Sequence, residues 1–270
     1  LQARHDWPVV MADHLEVGVD PCPGPGSRAI DFRTVRSLVL DSCRALHSLG
    51  AQRVVLMTFH GAPLHNLALE AGAAWLRARG VPAVAPFHGV LTQMLELVDA
   101  STYADAFSPV DDPDTRAQLM AGLREDFHAG FFETSLAMHW APDTVSNVHE
   151  RLPPCPTFAP DRTTVAAAAV AQRLGRTRLA QELRFAAVAI GWQKLRPFPG
   201  YTSSPAHANA QSGAVFARTV LDLYAPMIES VLLEGEPAPA AIMSWTRWAT
   251  LHGRLGPSPQ LSADDVVPAP

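Results

Sequence analysis

A histidine and a carboxylate stand five residues apart in the stretch His128-Ala129-Gly130-Phe131-Phe132-Glu133-Thr134-Ser135, which runs into the apolar residues Leu136, Ala137 and Met138. Placed at a loop that opens a helix, such a pair can move protons to and from a substrate or hold a cation. Upstream, Arg53-Val54-Val55-Leu56-Met57-Thr58-Phe59 is an apolar, β-branched run ending on His60-Gly61. A histidine at the end of a buried strand is a candidate metal ligand, and equally a hydrogen-bonded structural residue. A divalent metal polarises a carbonyl or phosphoryl oxygen and makes hydroxide from bound water near neutral pH. It needs about three His or carboxylate donors and an open position. Asp13 to Asp20 adds His14, Glu16 and Asp20, ligand types at close spacing in what otherwise reads as a polar loop. His65 and His88 are lesser candidates near the same sheet edge. For the His128 stretch the structural alternative is a capped helix start, with Thr134 or Ser135 holding backbone amides.

The elements that must position these groups alternate. Trp7 to Met11 reads as a short buried strand, followed by a loop rich in Pro and Gly to Gly26. Asp31 or Thr34 can cap a helix whose apolar residues Val35, Leu38, Val39, Cys43, Leu46 and Leu49 recur at three- and four-residue steps, with Gly50 as its stop. Arg53 to Phe59 is a strand, Leu64 to Arg79 a second helix closed by Gly80, and Val81 to Pro86 a third strand ending near His88. This predicts an α/β fold, a three-layer α/β/α sandwich on a mostly parallel sheet, with ligands bound beyond the carboxyl ends of the strands.

Further on, a helix follows Val90 (Leu91, Met94, Leu95, Leu97, Val98), then an acidic loop near Asp111 to Asp114, then the helix after His128. Residues 141–162 read as irregular loop, Thr163 to Glu182 as a helix, Phe185 to Ile190 as a strand, and Ser204 to Glu234 as containing one long helix. Residues 1–255 are expected to form a single domain, with 141–184 an insertion and 256–270 a disordered tail.

Bulk properties exclude other classes. The chain of 270 residues is 48% hydrophobic and 17% charged, the balance of a globular protein with a sizeable core. A net charge of −5 leaves no electrostatic footprint for nucleic acid or an acidic membrane. Cys22, Cys43 and Cys155 lie far apart without CxxC spacing and fit reduced thiols in a cytoplasmic protein. No window has the length of a membrane span, and the opening residues lack a signal-peptide pattern. The chain opens on Leu1 and not on Met, as a fragment or processed product does. The tryptophans, Trp192, Trp245 and Trp248 among them, suit core or subunit contacts.

A PG-containing loop, a helix, a strand ending in His-Gly, a helix and then HAGxxETS follow one another in an order that resembles the creatininase family of metal-dependent amidohydrolases. Gly200-Tyr201-Thr202-Ser203-Ser204-Pro205-Ala206-His207-Ala208-Asn209-Ala210, with Gly213, is similar to that family's G-x-x-G-x-P-x-x-A-x-x-x-x-G stretch. The resemblance covers roughly residues 7–232 and implies an α/β fold, a small-molecule amide substrate, one or two divalent metals (Zn, Mn or Fe) and a homo-oligomer, often a hexamer.

Carried over residue by residue, the family's N-G-H-G-G-N stretch becomes Thr58-Phe59-His60-Gly61-Ala62-Pro63, keeping the metal-ligand histidine as His60 and losing both asparagines. Phe131 stands where the family's H-A-G-E-x-E-T-S has its first Glu, and phenylalanine can neither bind a cation nor take a proton. The family's opening ligand motif, E-x-H-G-x-H-L-P followed by Asp, has no counterpart from Leu1 onward. The resemblance thus implies His60 and Glu133 as metal ligands, completed from upstream of Leu1 or from His14, Glu16 and Asp20. It implies His128 and Glu133 as catalytic groups, and Gly61, His88, Thr134 and Ser135 as substrate contacts. The alternative is a degenerate member that keeps the fold and serves as a non-catalytic binding or scaffold subunit.

Overall fold

A computed structural model of the chain describes residues 2–12, 14–97, 100–255 and 261–267. It divides into two compact units, where the sequence pattern suggests a single domain. The first comprises Leu1–Pro21, Arg28–Thr92 and Leu221–Ser258, the second Cys22–Ser27, Gln93–Val220 and Pro259–Pro270. In chain order the elements are α1 (Gln2–His5), α2 (Phe32–Ser48), β1 (Val54–Val55), α3 (Pro63–Arg77), β2 (Ala83–Val84), α4 (Phe87–Glu96), α5 (Ala104–Phe107), α6 (Pro113–Ala121), α7 (Phe131–Trp140), α8 (Arg162–Arg173), α9 (Thr177–Gln193), α10 (Ala210–Glu229) and α11 (Thr246–Ala249).

The first unit is built around a β–α–β segment. Asp31 caps α2 by accepting from Arg33 N at 2.9 Å and Thr34 N at 3.1 Å, and Gly50, at φ +81°, lets the chain turn after its last carbonyls. Helix α3 opens on Pro63, whose missing N–H costs nothing in a first turn. A Cβ on Gly72 of α3 would lie 2.6 Å from Val39 Cγ1 and 2.8 Å from Cys43 Sγ of α2, so glycine sets how closely these helices pack. Val35, Val39 and Cys43 of α2 and Leu64, Ala68, Ala73 and Leu76 of α3 bury against Val54 and Ala83 of the strands. The strands pair in parallel, Val54 with Ala83 and Val55 with Val84, extended by Leu56 N donating to Val84 O at 2.9 Å. The α/β alternation and parallel pairing therefore hold. Among the described residues the sheet is this one short pair, which does not amount to the three-layer sandwich.

The second unit has two apolar centres. Phe107, Phe131, Phe132 and Phe216 form one, and Trp192, Phe198 and Leu261, with Phe127, Cys22 and Cys155 beside them, form the other. Helices α7 and α10 touch through a glycine: a Cβ on Gly213 would lie 1.9 Å from Ser135 O.

Three sequence expectations are corrected. Trp7 to Met11 is not a strand but an extended loop, with Val10 87% and Met11 92% exposed. A β-branched run becomes a strand only beside a partner, and none of the described strands pairs with it. Phe185 to Ile190 lies inside α9, where Ala186, Ala187 and Trp192 form the buried face. A short apolar run fits a buried helix as well as a strand, and the neighbouring Ala, Gln and Glu favour the helix. The tail is ordered between 261 and 267: Leu261 is buried, Ser262 caps a turn, and Val266 bridges Phe198, whose N–H donates to Asp265 O at 2.7 Å. Val98 and residues 256–260 and 268–270 lie outside the described residues. No helix among the described residues is long and apolar enough to cross a membrane.

Because the Gly213 contact is with rigid backbone, Gly213→Ala is expected to destabilise the fold by about 1–3 kcal/mol or more through overpacking. Urea unfolding of the two proteins side by side measures it. Val10→Ser, at an 87% exposed position, is expected to change stability by less than about 0.5 kcal/mol in the same assay.

Candidate functional site

The start of α7 organises the second unit's candidate residues. Its N-cap, Gly130, has no side chain to satisfy the first amides, and Asp126 supplies the bond instead: Phe132 N donates to Asp126 Oδ2 at 2.8 Å. A Cβ on Gly130 would sit 1.9 Å from Asp126 Oδ1 and 2.5 Å from Thr202 O. The glycine of the His-Ala-Gly run is thus required by space. Ala129 adopts φ +45°, a left-handed conformation that strains any side-chain-bearing residue. Glu133 holds it there by accepting from Ala129 N at 2.7 Å, and Thr134 Oγ1 donates to Ala129 O at 3.1 Å. An acid at the third helical position reaching back over the helix start is the logic of a capping box, moved one residue outward.

This strained turn fixes His128. Its N–H donates to Thr202 Oγ1 at 3.1 Å and its carbonyl accepts from Thr202 N at 2.8 Å. Its Nδ1 lies 3.0 Å from Gly200 O. A carbonyl only accepts, so Nδ1 carries the hydrogen and Nε2 holds the lone pair. No hydrogen bond engages Nε2 among the described residues. Burial lowers the pKa of His128, opposed by the Gly200 carbonyl. A neutral imidazole of defined tautomer with a free lone pair is a proton acceptor suited to neutral pH.

Two carboxyl groups and a thiol surround this turn. Asp126 is fully buried, and burial, aided by the nearby Glu133 charge, pushes its carboxyl from 3.8 to about 7 despite the Phe132 and Thr202 hydrogen bonds. Cys22 Sγ lies 3.9 Å from Gly200 O, the carbonyl that also receives His128. Burial and Glu133 push its thiol up to about 12, so at neutral pH it is protonated and a poor nucleophile. All three cysteines are free thiols, as their spacing suggests.

The other candidates belong to the first unit. His60 Nε2 lies 2.7 Å from Val19 O and is committed to holding the loop that precedes α2. Asn66 ties the same turn down by donating to His60 O at 2.8 Å and Ala62 O at 3.0 Å. The His65 ring meets His60 edge-on at 5.0 Å, and its Nε2 lies 3.3 Å from Thr58 Oγ1. Burial and the His60 charge lower its pKa to about 4. Asp20, in a left-handed conformation at φ +50°, is near enough to His60 to feel its charge, while burial raises its pKa. His14 and Glu16 pair with each other at 3.4 Å with side chains 80% and 86% exposed. Around Gly61 an added Cβ would meet nothing within 4 Å.

His88, expected near a substrate, is a core residue: it is 1% exposed, accepts from Ile242 N at 3.3 Å, and is pushed to about 4 by burial. Ser135 is likewise fully buried, its Oγ accepting from Asn209 N at 3.1 Å. Phe131 is turned into the core, stacked on Phe107 at 5.3 Å and edge-on to Phe216 at 6.0 Å.

Among the described residues, no group of three or more His, Cys, Asp or Glu side chains is gathered to hold a metal ion. His60 Nε2 is hydrogen-bonded to the Val19 carbonyl, and Glu133 Oε2 accepts from Ala129 N.

Asp126 and Thr202 escaped the sequence reading. Asp126 could have been found as an acid placed ahead of a helix whose N-cap is glycine. Thr202 carries no such signal, because its partners are more than seventy residues away along the chain.

A family model described as Creatininase, creatinine amidohydrolase, matches residues 1–228, and the chain belongs to the creatininase family. Two solved structures are similar over 77% of this chain and 68% of their own. One is a tryptophan-to-phenylalanine mutant creatininase of type II, 22% identical with a TM-score of 0.42. The other is a manganese creatininase, 21% identical with a TM-score of 0.41. No curated protein sequence matches.

The Asp126 carboxyl gives a pH dependence with a definite sign. Its pKa is raised on folding, so its contribution to stability is fully present below about pH 4 and is lost as pH rises through about 7. Thermal unfolding followed by circular dichroism is expected to show Tm falling across that interval. The fall should be shallower in Asp126→Asn, which keeps the shape without the charge.

Proposed function

We propose that the chain acts as a creatininase-type amidohydrolase that cleaves the C–N bond of an amide or cyclic amide, with His128 as the proton-transfer group. Family membership supports the reaction class. The observation that carries the role of His128 is its Nδ1 bond to Gly200 O, which leaves Nε2 a lone pair at neutral pH. From that position His128 accepts a proton from the attacking water and returns it to the leaving nitrogen as the tetrahedral intermediate collapses. Glu133 serves as the carboxylate that keeps the His128 turn in its strained form. Thr134 braces the same turn.

The family resemblance also brings a divalent metal, zinc, manganese or iron, whose role when bound is to polarise the amide carbonyl. His60 is the ligand this chain offers by motif. A cytoplasmic homo-oligomer acting on a small-molecule amide completes the reading, with three free thiols in support of a reducing compartment.

One observation favours a second reading, a family member that binds without catalysis. Phe131, where the family has a carboxylate, is fully buried in an aromatic cluster. Elemental analysis of the purified protein, a panel of linear and cyclic amides, and His128→Gln and His60→Ala variants decide between the two. The first reading expects turnover that falls about 10²–10⁴-fold in His128→Gln at unchanged Tm. It also expects bound metal that is lost in His60→Ala. Neither metal nor turnover after reconstitution establishes the second.

A further inference from the structure

From 237 to 263 the sequence has no Asp or Glu, and Arg247, His252 and Arg254 fall close together within that run. The same stretch turns its large apolar side chains outward: Trp248 is 63% exposed, Leu251 55% and Leu255 56%. Trp248 carries basic groups with it, Arg247 Cζ lying 5.1 Å from its ring centroid and the His252 ring meeting it edge-on at 4.7 Å. Among the described residues no carboxylate pairs with Arg247 or Arg254. Asp31, beside Phe32 where this segment touches α2, spends its carboxylate on the Arg33 and Thr34 amides and the Thr34 hydroxyl.

The backbone holds this surface rigid. Leu251, His252 and Gly253 follow one another at φ +50°, +61° and +75°, three left-handed residues of which only the glycine adopts that form freely. His252 N donates to Arg247 O at 2.6 Å, Gly253 N to Thr250 Oγ1 at 3.0 Å and Leu255 N to Thr250 O at 3.0 Å. A Cβ on Gly253 would lie 2.7 Å from Phe32 Cβ, so the turn is pressed onto the start of α2. Strain of this kind persists only where the surroundings impose it, and a surface already fixed loses little freedom when a partner covers it. Trp and Arg are also the residues that carry most of the energy of protein–protein contacts.

The complementary surface is on the chain itself, whose net charge is −5. At the start of α6, Asp111, Asp112, Pro113 and Asp114 are all exposed. Asp112 is held as the α6 cap by Thr115 N at 2.7 Å. Arg116 and His207 are the basic groups it feels, and Arg116 places its guanidinium on Val110 O at 2.9 and 2.8 Å. Among the described residues no cation pairs with the Asp111 or Asp114 carboxylate.

We propose that residues 245–255 dock onto residues 111–114 of a second copy of the chain, with Trp248 against the Pro113 ring and Arg247 and Arg254 facing Asp111 and Asp114. The occupant rests on the homo-oligomer of the proposed function, and the contact does not depend on amide hydrolysis. Each copy carries one basic, apolar patch and one acidic corner. The contact is therefore head to tail, and it closes into a ring where the rotation allows.

The test is the molar mass of the full chain by light scattering and sedimentation over a range of concentration and salt. Trp248→Ala is expected to raise the dissociation constant about thirtyfold or more. Arg247→Glu with Arg254→Glu, and separately Asp111→Lys with Asp114→Lys, should each dissociate the assembly, and the wild-type contact should weaken as salt rises. The chain carrying all four reversals should assemble again, because every contact is then complementary with its signs exchanged. All five substituted side chains are exposed, and an unchanged Tm by circular dichroism separates loss of contact from loss of fold. A wild-type oligomer that none of these variants alters overturns this surface and leaves the homo-oligomer reading standing, whereas a monomeric wild type overturns both. Dissociation by the patch variants without a matching effect at the corner, or without recovery in the fourfold variant, overturns the pairing.

Discussion

One buried carboxylate holds together the turn that carries His128 and Glu133. Asp126 caps the first turn of α7 through Phe132 N and reaches Thr202, which belongs to a loop distant in sequence. An ionised group in that position loses its hydration, and the Phe131 and Phe132 amides, the Thr202 hydroxyl and the positive end of the helix offset the loss. The cost is carried because the alternative is worse: a glycine N-cap would leave first-turn amides buried without partners. Every other contact at the turn presupposes this one. Ala129 can be held in a left-handed conformation by Glu133 only if the helix starts where Asp126 starts it, and His128 meets Gly200 only if Thr202 is in register.

The two histidine stretches are built on different physical grounds. His60 ends a strand segment and is tied by its ring to Val19 and by its carbonyl to Asn66, so its fixation is a matter of saturated hydrogen bonding. His128 sits on a strained turn with one ring nitrogen fastened and the other open. Strain held in place by surrounding bonds is what residues with a chemical task show more often than residues that merely fill space.

What could be read from the sequence was whatever is decided within a few residues. Helices α2 and α3, with Asp31 at one start, Pro63 at the other and Gly50 and Gly80 at their ends, follow from caps and periodicity. The parallel pairing of Val54 and Val55 with Ala83 and Val84 follows from the alternation of apolar runs. Trp7 to Met11 and Phe185 to Ile190 depart from the strands their sequence suggests because an apolar run records that a segment likes burial, and leaves open which partner provides it. At the site, HAGxxETS marked His128 and Glu133 by type. That Ser135 and His88 would prove core residues depends on neighbours such as Asn209 and Ile242, far away in sequence. The His-Ala-Gly glycine was legible as a motif, while its reason, an Asp126 oxygen and a Thr202 carbonyl crowding its α-carbon, is a tertiary fact.

The C-terminal segment has a practical bearing of its own. Residues 256–270 have the composition of a disordered tail, and a recombinant version would naturally be trimmed at 255. Yet Leu261 is buried beside Trp192 and Phe198, and Val266 and Val267 stitch themselves to the Phe198 backbone. Removing these residues would strip a cover from an aromatic surface and leave the Phe198 peptide groups without their partners. A shortened protein would be prone to clump during purification, and poor behaviour of that kind would reflect a missing clasp and not a fault elsewhere in the fold.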